Sequence, residues 1–170
     1  QAGLGALFLM AKPKIHPLWY TEFIPVLFFL SSIFAGISMV IFEGTISHRV
    51  FSDMLPPNRH GEHGNIVLSL SKGAALTLFV YFFFKALVFV HGKQFHCLAT
   101  GWGFWYLVEM IGFTLIPCAL FVYAVRKTSS RAACVASVLT LLGVMLNRLN
   151  ISVIAFNYEA TARYHPSWME

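Results

Sequence analysis

Charged residues are scarce in this chain: only 11% of its 170 residues are Asp, Glu, Lys or Arg, whereas 58% are hydrophobic. A soluble domain of this size needs far more polar surface to cover its exterior. The mean hydropathy of +0.70 agrees with this reading. The composition therefore excludes an ordinary soluble globular protein and predicts an integral membrane protein.

Cysteine is also rare, and its spacing excludes two further kinds of site. The three cysteines form no CxxC pair and no zinc-binding spacing, so we expect neither a disulfide framework nor a structural metal site. All seven histidines lie in loops or at the ends of apolar runs. A haem inside a helix bundle usually requires two histidines that face each other from within helices. His60 and His63 in HGEHG have a spacing that could bind a metal, but a solvated loop is the simpler interpretation. We expect no haem and no metal in this chain.

The formal net charge of +5 does not indicate nucleic-acid binding, because the basic residues stand at the ends of apolar runs rather than in one patch. We interpret them as residues that orient the chain in a membrane. The denser basic cluster, which we assign to the cytoplasmic face, consists of Arg49, Arg59, Arg126, Lys127 and Arg131. The opposite loops carry Lys12, Lys14, Lys93 and Arg163. Both chain ends then lie on the outer face.

Four apolar runs are long enough to cross a bilayer, which requires about 20 residues at about 1.5 Å rise each. The first is the clearest, since Phe23 to Phe42 contains no charge and follows Trp19 and Tyr20, whose rings favour the headgroup level. We predict transmembrane helices near 22–46, 66–91, 103–126 and 131–157. Four antiparallel helices joined by polar turns predict an all-α integral membrane protein, a four-transmembrane-helix bundle.

The residues on either side of this bundle are expected to lie at the outer face. Residues 1–21 form the predicted interfacial segment. Its apolar patch from Leu4 to Ala11 is too short to cross the bilayer, so we predict an interfacial or re-entrant segment. Residues 22–157 form the bundle, and residues 158–170 form an outer-face tail. Gln1 is not a plausible translation start, so we expect the chain to come from the interior of a longer protein.

Each predicted span contributes one ionisable residue near its outer end: Glu22, Lys85, Glu109 and Arg148. Ionisable groups inside a membrane cost about 2.5–3.5 kcal/mol each near a helix centre, so they usually pair or line a polar cavity. We expect them to form one polar layer. A structural ion-pair network, or snorkelling of the charges to the interface, is the alternative.

Neighbouring polar and aromatic residues leave two questions open. Trp102 and Trp105 share a helix face with Glu109, either as an aromatic belt or as a stacking wall. Asn147, Asn150 and Asn157 fall on one arc of the last span. Since Arg148 points about 100° or more away from that arc, we do not expect the asparagines and the arginine to serve one pocket.

A second polar set lies at the inner ends of the first two spans. Glu43 and His48 end the first span, and Lys72 lies early in the second. Glu43 and Lys72 could pair, either as part of a proton path or as a simple tie between helix ends.

Two stretches of the sequence resemble a known family. LGALFLMAKPKIHPLWYTEFIPVLFFLSSIFAGISMVIFE, from Leu4 to Glu43, resembles the NrfD/PsrC family of polysulfide reductase-type membrane subunits, and most of all its HybB-type hydrogenase branch. NRLNISVIAFN, which starts at Asn147, and the later YHPSW resemble the end of the second bundle in that family. Members of the family contain two four-helix bundles, and this chain resembles the second bundle only. The best-described quinone pocket belongs largely to the other bundle, so its residues are not carried over.

The resemblance implies a cofactor-free, multi-pass subunit of a quinone-linked respiratory oxidoreductase in the cytoplasmic membrane of a bacterium or archaeon. Such a subunit binds menaquinone or ubiquinone near the outer face and docks a periplasmic, ferredoxin-like iron–sulfur subunit. It exchanges electrons with a catalytic subunit such as a hydrogenase or a sulfur-compound reductase. The first bundle and the lipid membrane are its other implied partners.

The residues give specific candidates for these roles. The candidates for quinone binding or proton transfer are His16, Tyr20, Glu22, Lys85, Trp105, Glu109 and Arg148. The candidates for an inner proton path are Glu43, His48 and Lys72. Two other classes stay open. A structural membrane anchor needs no functional charges, and a transporter half would show broken helices near the midplane, for which Pro117 is the mid-span candidate.

Overall fold

The computed structural model describes residues 2–10, 14–51, 59–92 and 100–155, and within these it leaves the side chains of residues 59–62 undescribed. The α-helices are α1 (Ala2–Leu9), α2 (Ile24–Val50), α3 (Arg59–His91), α4 (Gly101–Leu107), α5 (Ile116–Arg126) and α6 (Ser130–Leu149). Two π-helical segments complete them: Val108–Leu115 joins α4 to α5, and Asn150–Ile154 extends α6. The predicted tail, residues 158–170, lies outside the described residues.

Among the described residues, four helices are long and apolar enough to cross a membrane: Ile24–Val50, His63–His91, Gly101–Arg126 and Ser130–Ile154. The prediction of an all-α membrane bundle with four spans is confirmed. The first loop is shorter than predicted, because α2 continues past residue 46 to Val50 and α3 begins at Arg59 rather than near residue 66. Adding a residue to an existing helix requires no new nucleation, so polar residues can extend a span beyond its apolar run.

The four spans form a closed ring around one core. α2 packs against α3 and α6, and α5 packs against the same two helices. Successive spans run antiparallel. We call the end where α2 begins and α3 ends the Glu22 end, and the end where α5 ends and α6 begins the Arg126 end.

Small side chains fill the places where the helices approach one another. Ser38, Ser71, Ala74, Ala136 and Ser137 are fully buried. Many large apolar side chains point outwards instead, with Phe29, Phe79 and Leu142 at least half exposed. Small residues between helices and large apolar residues on the outside are typical of a membrane bundle, where lipid is as apolar as the core.

Pro117 does not break the third span. Proline has no N–H, so it cannot donate to the Phe113 carbonyl in the α-helical pattern, and the π-helical segment Val108–Leu115 lies just before it. Gly143 of α6 rests on the same turn, since a Cβ there would lie 2.8 Å from the Phe113 carbonyl oxygen. The third span therefore runs unbroken from Gly101 to Arg126, and it lacks the interruption expected of a transporter half.

The N-terminal patch is a short helix that packs on the first span. α1 contacts α2, and the approach is closest at Gly5, where a Cβ would lie 2.8 Å from the Cα of Pro25. Only glycine fits this contact. Leu4 and Leu7 remain exposed on the other side of α1, while Ala11 lies outside the described residues.

Candidate functional site

A buried carboxylate lies between the spans near the Glu22 end. Glu109 is 2% exposed and accepts hydrogen bonds from four side chains. Its Oε1 forms an ion pair with Lys85 and accepts from Asn147 Nδ2 at 2.5 Å. Its Oε2 accepts from Trp19 Nε1 at 2.9 Å and from Asn150 Nδ2 at 2.6 Å. We call these five residues the Glu109 cluster. A buried charge is stable where a counter-ion and hydrogen-bond donors replace water, and the cluster supplies both.

Irregular helical turns bring these side chains together. Glu109 lies in the π-helical segment Val108–Leu115, and Asn150 begins the segment Asn150–Ile154. A π-helical turn shifts the direction of the side chains that follow it, and such turns are frequent at functional sites. Asn147 and Asn150 are three residues apart, so both amides point from one face of the last span towards Glu109.

The segment before α2 covers the cluster and is fixed by backbone and aromatic contacts. The backbone N–H of His16 donates to the Ala155 carbonyl at 3.0 Å. The His16 ring stacks on Trp102 at 5.3 Å between centroids, and Trp19 meets Trp102 edge-on at 6.0 Å. Burial lowers the pKa of His16, because its ring is removed from water. These contacts hold the Trp19 ring in place, with its Nε1 directed at Glu109.

A cavity of about 640 Å³ opens beside the Glu109 cluster. Its inner wall includes the buried residues Tyr81, Lys85 and Tyr106 and the partly buried Asn147. Lys85 Nζ lies 5.1 Å from the centroid of the Tyr106 ring. The more exposed residues around the opening are mainly apolar: Phe23, Leu27, Phe84, Leu87 and Val88. The volume is within the range of about 300–1,000 Å³ found for small-molecule sites.

The residues of the predicted outer layer meet only in part. Lys85 and Glu109 pair directly. Glu22 is exposed and lines the cavity, as does the half-buried Tyr20. Arg148 does not join them and contacts α2 instead. His16 and Trp105 lie near the cluster but not among the residues that line the cavity.

Arg148 reaches across to α2 rather than to Glu109. Its Nη2 donates to Ser31 Oγ at 2.6 Å and to the Phe28 carbonyl at 3.3 Å. Its guanidinium carbon lies 3.4 Å from the centroid of the Phe28 ring. The arginine and the two asparagines of the cluster thus serve different parts of the bundle, as their angular separation on the helix predicts.

The inner set forms no comparable cluster within the described residues. Glu43 and Lys72 are both exposed, and no ion pair joins them. Although Glu43 and Lys72 lie at a similar depth along their helices, their side chains do not meet. His48 stacks on His63 with ring centroids 4.3 Å apart and planes at 12°. No group of three or more His, Cys, Asp or Glu among the described residues is placed to hold a metal ion. The side chain of His60 lies outside them, so the expectation for HGEHG stays a prediction.

Sequence reasoning missed three partners of Glu109: Trp19, Asn147 and Asn150. The sequence predicts Trp19 at the headgroup level, and it predicts only that the asparagines share one arc of the last span. The spacing of Asn147 and Asn150 does indicate a polar contact inside the bundle. Two amides on one face of a membrane helix require polar partners, since lipid offers none.

The family profile described as "Polysulphide reductase, NrfD" matches residues 2–157. A protein of Nitratidesulfovibrio vulgaris (strain Hildenborough) is 44% identical over 172 residues, which cover 100% of this chain and 44% of that protein. The probable Ni/Fe-hydrogenase 2 b-type cytochrome subunit of Escherichia coli K12 is 25% identical over 173 residues, 100% of this chain and 43% of that protein. The chain thus spans less than half the length of these two relatives. No solved structure matches it significantly.

Proposed function

This chain belongs to the NrfD family of membrane proteins, and from that premise we propose that it is part of the membrane subunit of a quinone-linked respiratory oxidoreductase. It performs no catalytic step alone. Its role is to bind menaquinone or ubiquinone in the cavity beside the Glu109 cluster. That cavity, with a buried charged wall and an apolar opening, is the observation that carries the proposal.

The polarity of the cavity matches an amphiphilic ring that bears an apolar tail. Lys85, Asn147 and the hydroxyls of Tyr81 and Tyr106 are donors that carbonyl oxygens of a ring can accept from. Phe23 and Leu87, both about half exposed, lie where a hydrocarbon tail would leave the cavity. A bound quinone would supply redox chemistry that couples electron transfer to proton transfer.

The residues of the chain have separate tasks in this proposal. Lys85 donates a hydrogen bond to a ligand oxygen, and Glu109 is the counter-ion that stabilises the buried ammonium. Glu22 stands exposed at the opening, where it can exchange protons with water. Asn147 both lines the cavity and donates to Glu109, so it links the ligand to the carboxylate.

A hydrogenase or sulfur-compound reductase as partner is suggested by the names of the family and of the relative from Escherichia coli, and the other partners are those that the family resemblance implies. We assign the Glu22 end to the outer face of a bacterial or archaeal cytoplasmic membrane. A periplasmic, ferredoxin-like iron–sulfur subunit would dock there and exchange electrons with a hydrogenase or a sulfur-compound reductase. The remainder of a longer protein would supply the other bundle.

We propose no haem in this chain, although the name of that relative contains the words b-type cytochrome. Two axial histidines must point at one iron from opposite sides. His48 and His63 instead lie face to face with centroids 4.3 Å apart. This arrangement leaves no room for an iron between their nitrogens.

The test removes both charges of the buried pair in the intact membrane complex, with the double variant Lys85→Met/Glu109→Gln. It leaves no unpaired ion, so assembly is expected to survive. The measurements are quinone-dependent turnover and binding of the fluorescent quinone analogue 2-heptyl-4-hydroxyquinoline N-oxide. We expect binding to weaken about tenfold or more, since hydrogen bonds to charged groups contribute about 1.5–3 kcal/mol. Activity of the catalytic subunit with soluble dyes should persist.

The chain offers a matched control nearer the Arg126 end, where Lys72 lies on α3, the helix of Lys85, and Glu43 lies on the neighbouring α2. The double variant Glu43→Gln/Lys72→Met removes the same two charges at exposed positions and should leave analogue binding unchanged. If the Lys85→Met/Glu109→Gln variant also keeps full binding and turnover, the cavity is not a quinone site. The bundle would then be a structural anchor.

A further inference from the structure

We infer that Trp105 and Asn150 are positioning residues, which fix one oxygen of Glu109 and thereby hold Lys85 and Asn147 at the cavity wall. The inference rests on the proposed quinone site. It assigns Trp105 a role that differs from direct contact with a ligand.

The two oxygens of Glu109 have different surroundings. Lys85 and Asn147 donate to Oε1, and both residues also line the cavity. Trp19 and Asn150 donate to Oε2. Trp19 also lines the cavity, whereas Asn150 is fully buried and does not line it. A ligand that accepts a hydrogen bond from Lys85 or Asn147 therefore competes with Oε1. The bond from Asn150 to Oε2 can persist throughout and keep the carboxylate in place.

The orientation of the Asn150 amide determines whether that anchor works. With Nδ2 towards Glu109, the amide donates to the carboxylate at 2.6 Å. The reverse orientation would bring Oδ1 against a carboxylate oxygen, and two acceptors would then meet. Trp105 Nε1 donates to Asn150 Oδ1 at 3.0 Å. Because an indole nitrogen can only donate, Trp105 favours the productive orientation.

Trp105 therefore acts through Asn150 and Glu109. A ring that stacked on the ligand would mainly govern affinity. A ring that orients a carboxylate governs how accurately Lys85 and Asn147 are presented during the reaction, and small errors of position lower rates. The two roles predict different kinetic changes.

The experiment compares Trp105→Phe with Trp102→Phe in the intact complex. Trp102 lies one turn earlier on the same helix and stacks on His16, so its variant loses an indole N–H without removing the donor to Asn150. For Trp105→Phe we expect kcat of quinone-dependent turnover to fall about fivefold to tenfold. KM and the affinity for 2-heptyl-4-hydroxyquinoline N-oxide should stay within about twofold. Trp102→Phe should keep kcat.

A double variant tests whether both residues act in one path. Asn150→Ala alone should lower kcat at least as much as Trp105→Phe. Combining the two should lower kcat no further, because Trp105 has no effect once Asn150 is absent. A residue that only stabilises the fold would change thermal stability without this non-additive loss of kcat.

Three results would overturn the inference. Trp105→Phe could raise KM and weaken analogue binding about tenfold at unchanged kcat, which would place the ring on the ligand. The variant could change stability alone, or the two substitutions could add. In each case Lys85→Met/Glu109→Gln would still weaken analogue binding about tenfold or more, so the proposed quinone site would stand. If that double variant binds normally, the proposed function itself fails.

Discussion

The two ends of this bundle contain similar side chains but use them differently. At the Glu22 end, Lys85 and Glu109 are buried and paired, and three further side chains donate to the carboxylate. Towards the Arg126 end, Glu43 of α2 and Lys72 of α3 also lie on neighbouring helices, but both are exposed and they are unpaired with each other. The first set defines a polar site, whereas the second set is part of the helix surface.

The difference lies in the direction of the side chains and not in their type or depth. An ionisable residue facing the bundle interior needs partners, because a buried unpaired charge is costly. One on the outer surface can reach water or the headgroups along its flexible stem. Convergent donors from several helices therefore mark a site in a membrane protein more reliably than the presence of charges.

The largest expected effect comes from breaking the buried pair on one side only. Lys85→Met leaves Glu109 as a buried carboxylate without its counter-ion, which should destabilise the protein by about 3–5 kcal/mol or prevent assembly. Lys72→Met on the same helix should change the free energy of unfolding by less than about 0.5 kcal/mol. Thermal unfolding of both variants in detergent measures the contrast.

The double variant Lys85→Met/Glu109→Gln provides the control for this prediction. It should recover most of the lost stability, because neither ion remains in the interior. If Lys85→Met is as stable as Lys72→Met, the pair is solvated in the membrane. The two ends of the bundle would then not differ in the way described.

The sequence alone predicted the spans and the depth of the charges. Apolar runs of sufficient length identified all four helices, since length and hydropathy are local properties. Depth counted along each span brought Lys85 and Glu109 to one level, and they do pair. Span position and depth depend on one helix at a time. Depth alone did not predict facing, since Glu22 and Arg148 at the same level do not join the pair.

The partners of Glu109 could not be predicted in the same way, since they depend on how the helices rotate against each other. The π-helical segments change that rotation at Glu109 and Asn150. No periodicity based on regular α-helices takes such turns into account. The sequence did not identify Trp19 as a partner of Glu109 either, because Trp19 reaches Glu109 from outside the spans. The direction in which each side chain points, and therefore the set of residues that form the site, can be read only from the three-dimensional structure.

A second prediction tests whether the Glu109 cluster depends on the close approach of the third and fourth spans. In Gly143→Ala the new Cβ would lie 2.8 Å from both the carbonyl oxygen and the Cβ of Phe113. The last span must shift, and Asn147, one turn further along it, moves with respect to Glu109. We expect a loss of about 1–3 kcal/mol in the free energy of unfolding, with weaker binding of the quinone analogue.

Gly112→Ala is the control for that variant, because a Cβ at Gly112 has nothing within 4 Å. It should leave unfolding and binding unchanged, or stabilise the helix slightly. If Gly143→Ala behaves in the same way, the helices have room to adjust. The geometry of the cluster would then not depend on this contact.

The smallest expected effect concerns His16, in the segment that covers the Glu22 end. Burial lowers its pKa in the folded protein, whereas the unfolded chain should titrate near the ordinary value of about 6.5. Below that pH the unfolded state binds more protons than the folded state. The contribution of His16 to stability is therefore fully present above about pH 6.5 and is lost as the pH falls towards the lowered folded pKa. In His16→Asn, the amide oxygen can replace Nδ1 as the acceptor of the Leu18 N–H, and no group titrates at this position. The thermal midpoint should then fall less between pH 7.5 and 5 than in the unmodified protein. An equal fall in His16→Asn and in the unmodified protein would show that acid sensitivity arises elsewhere in the bundle.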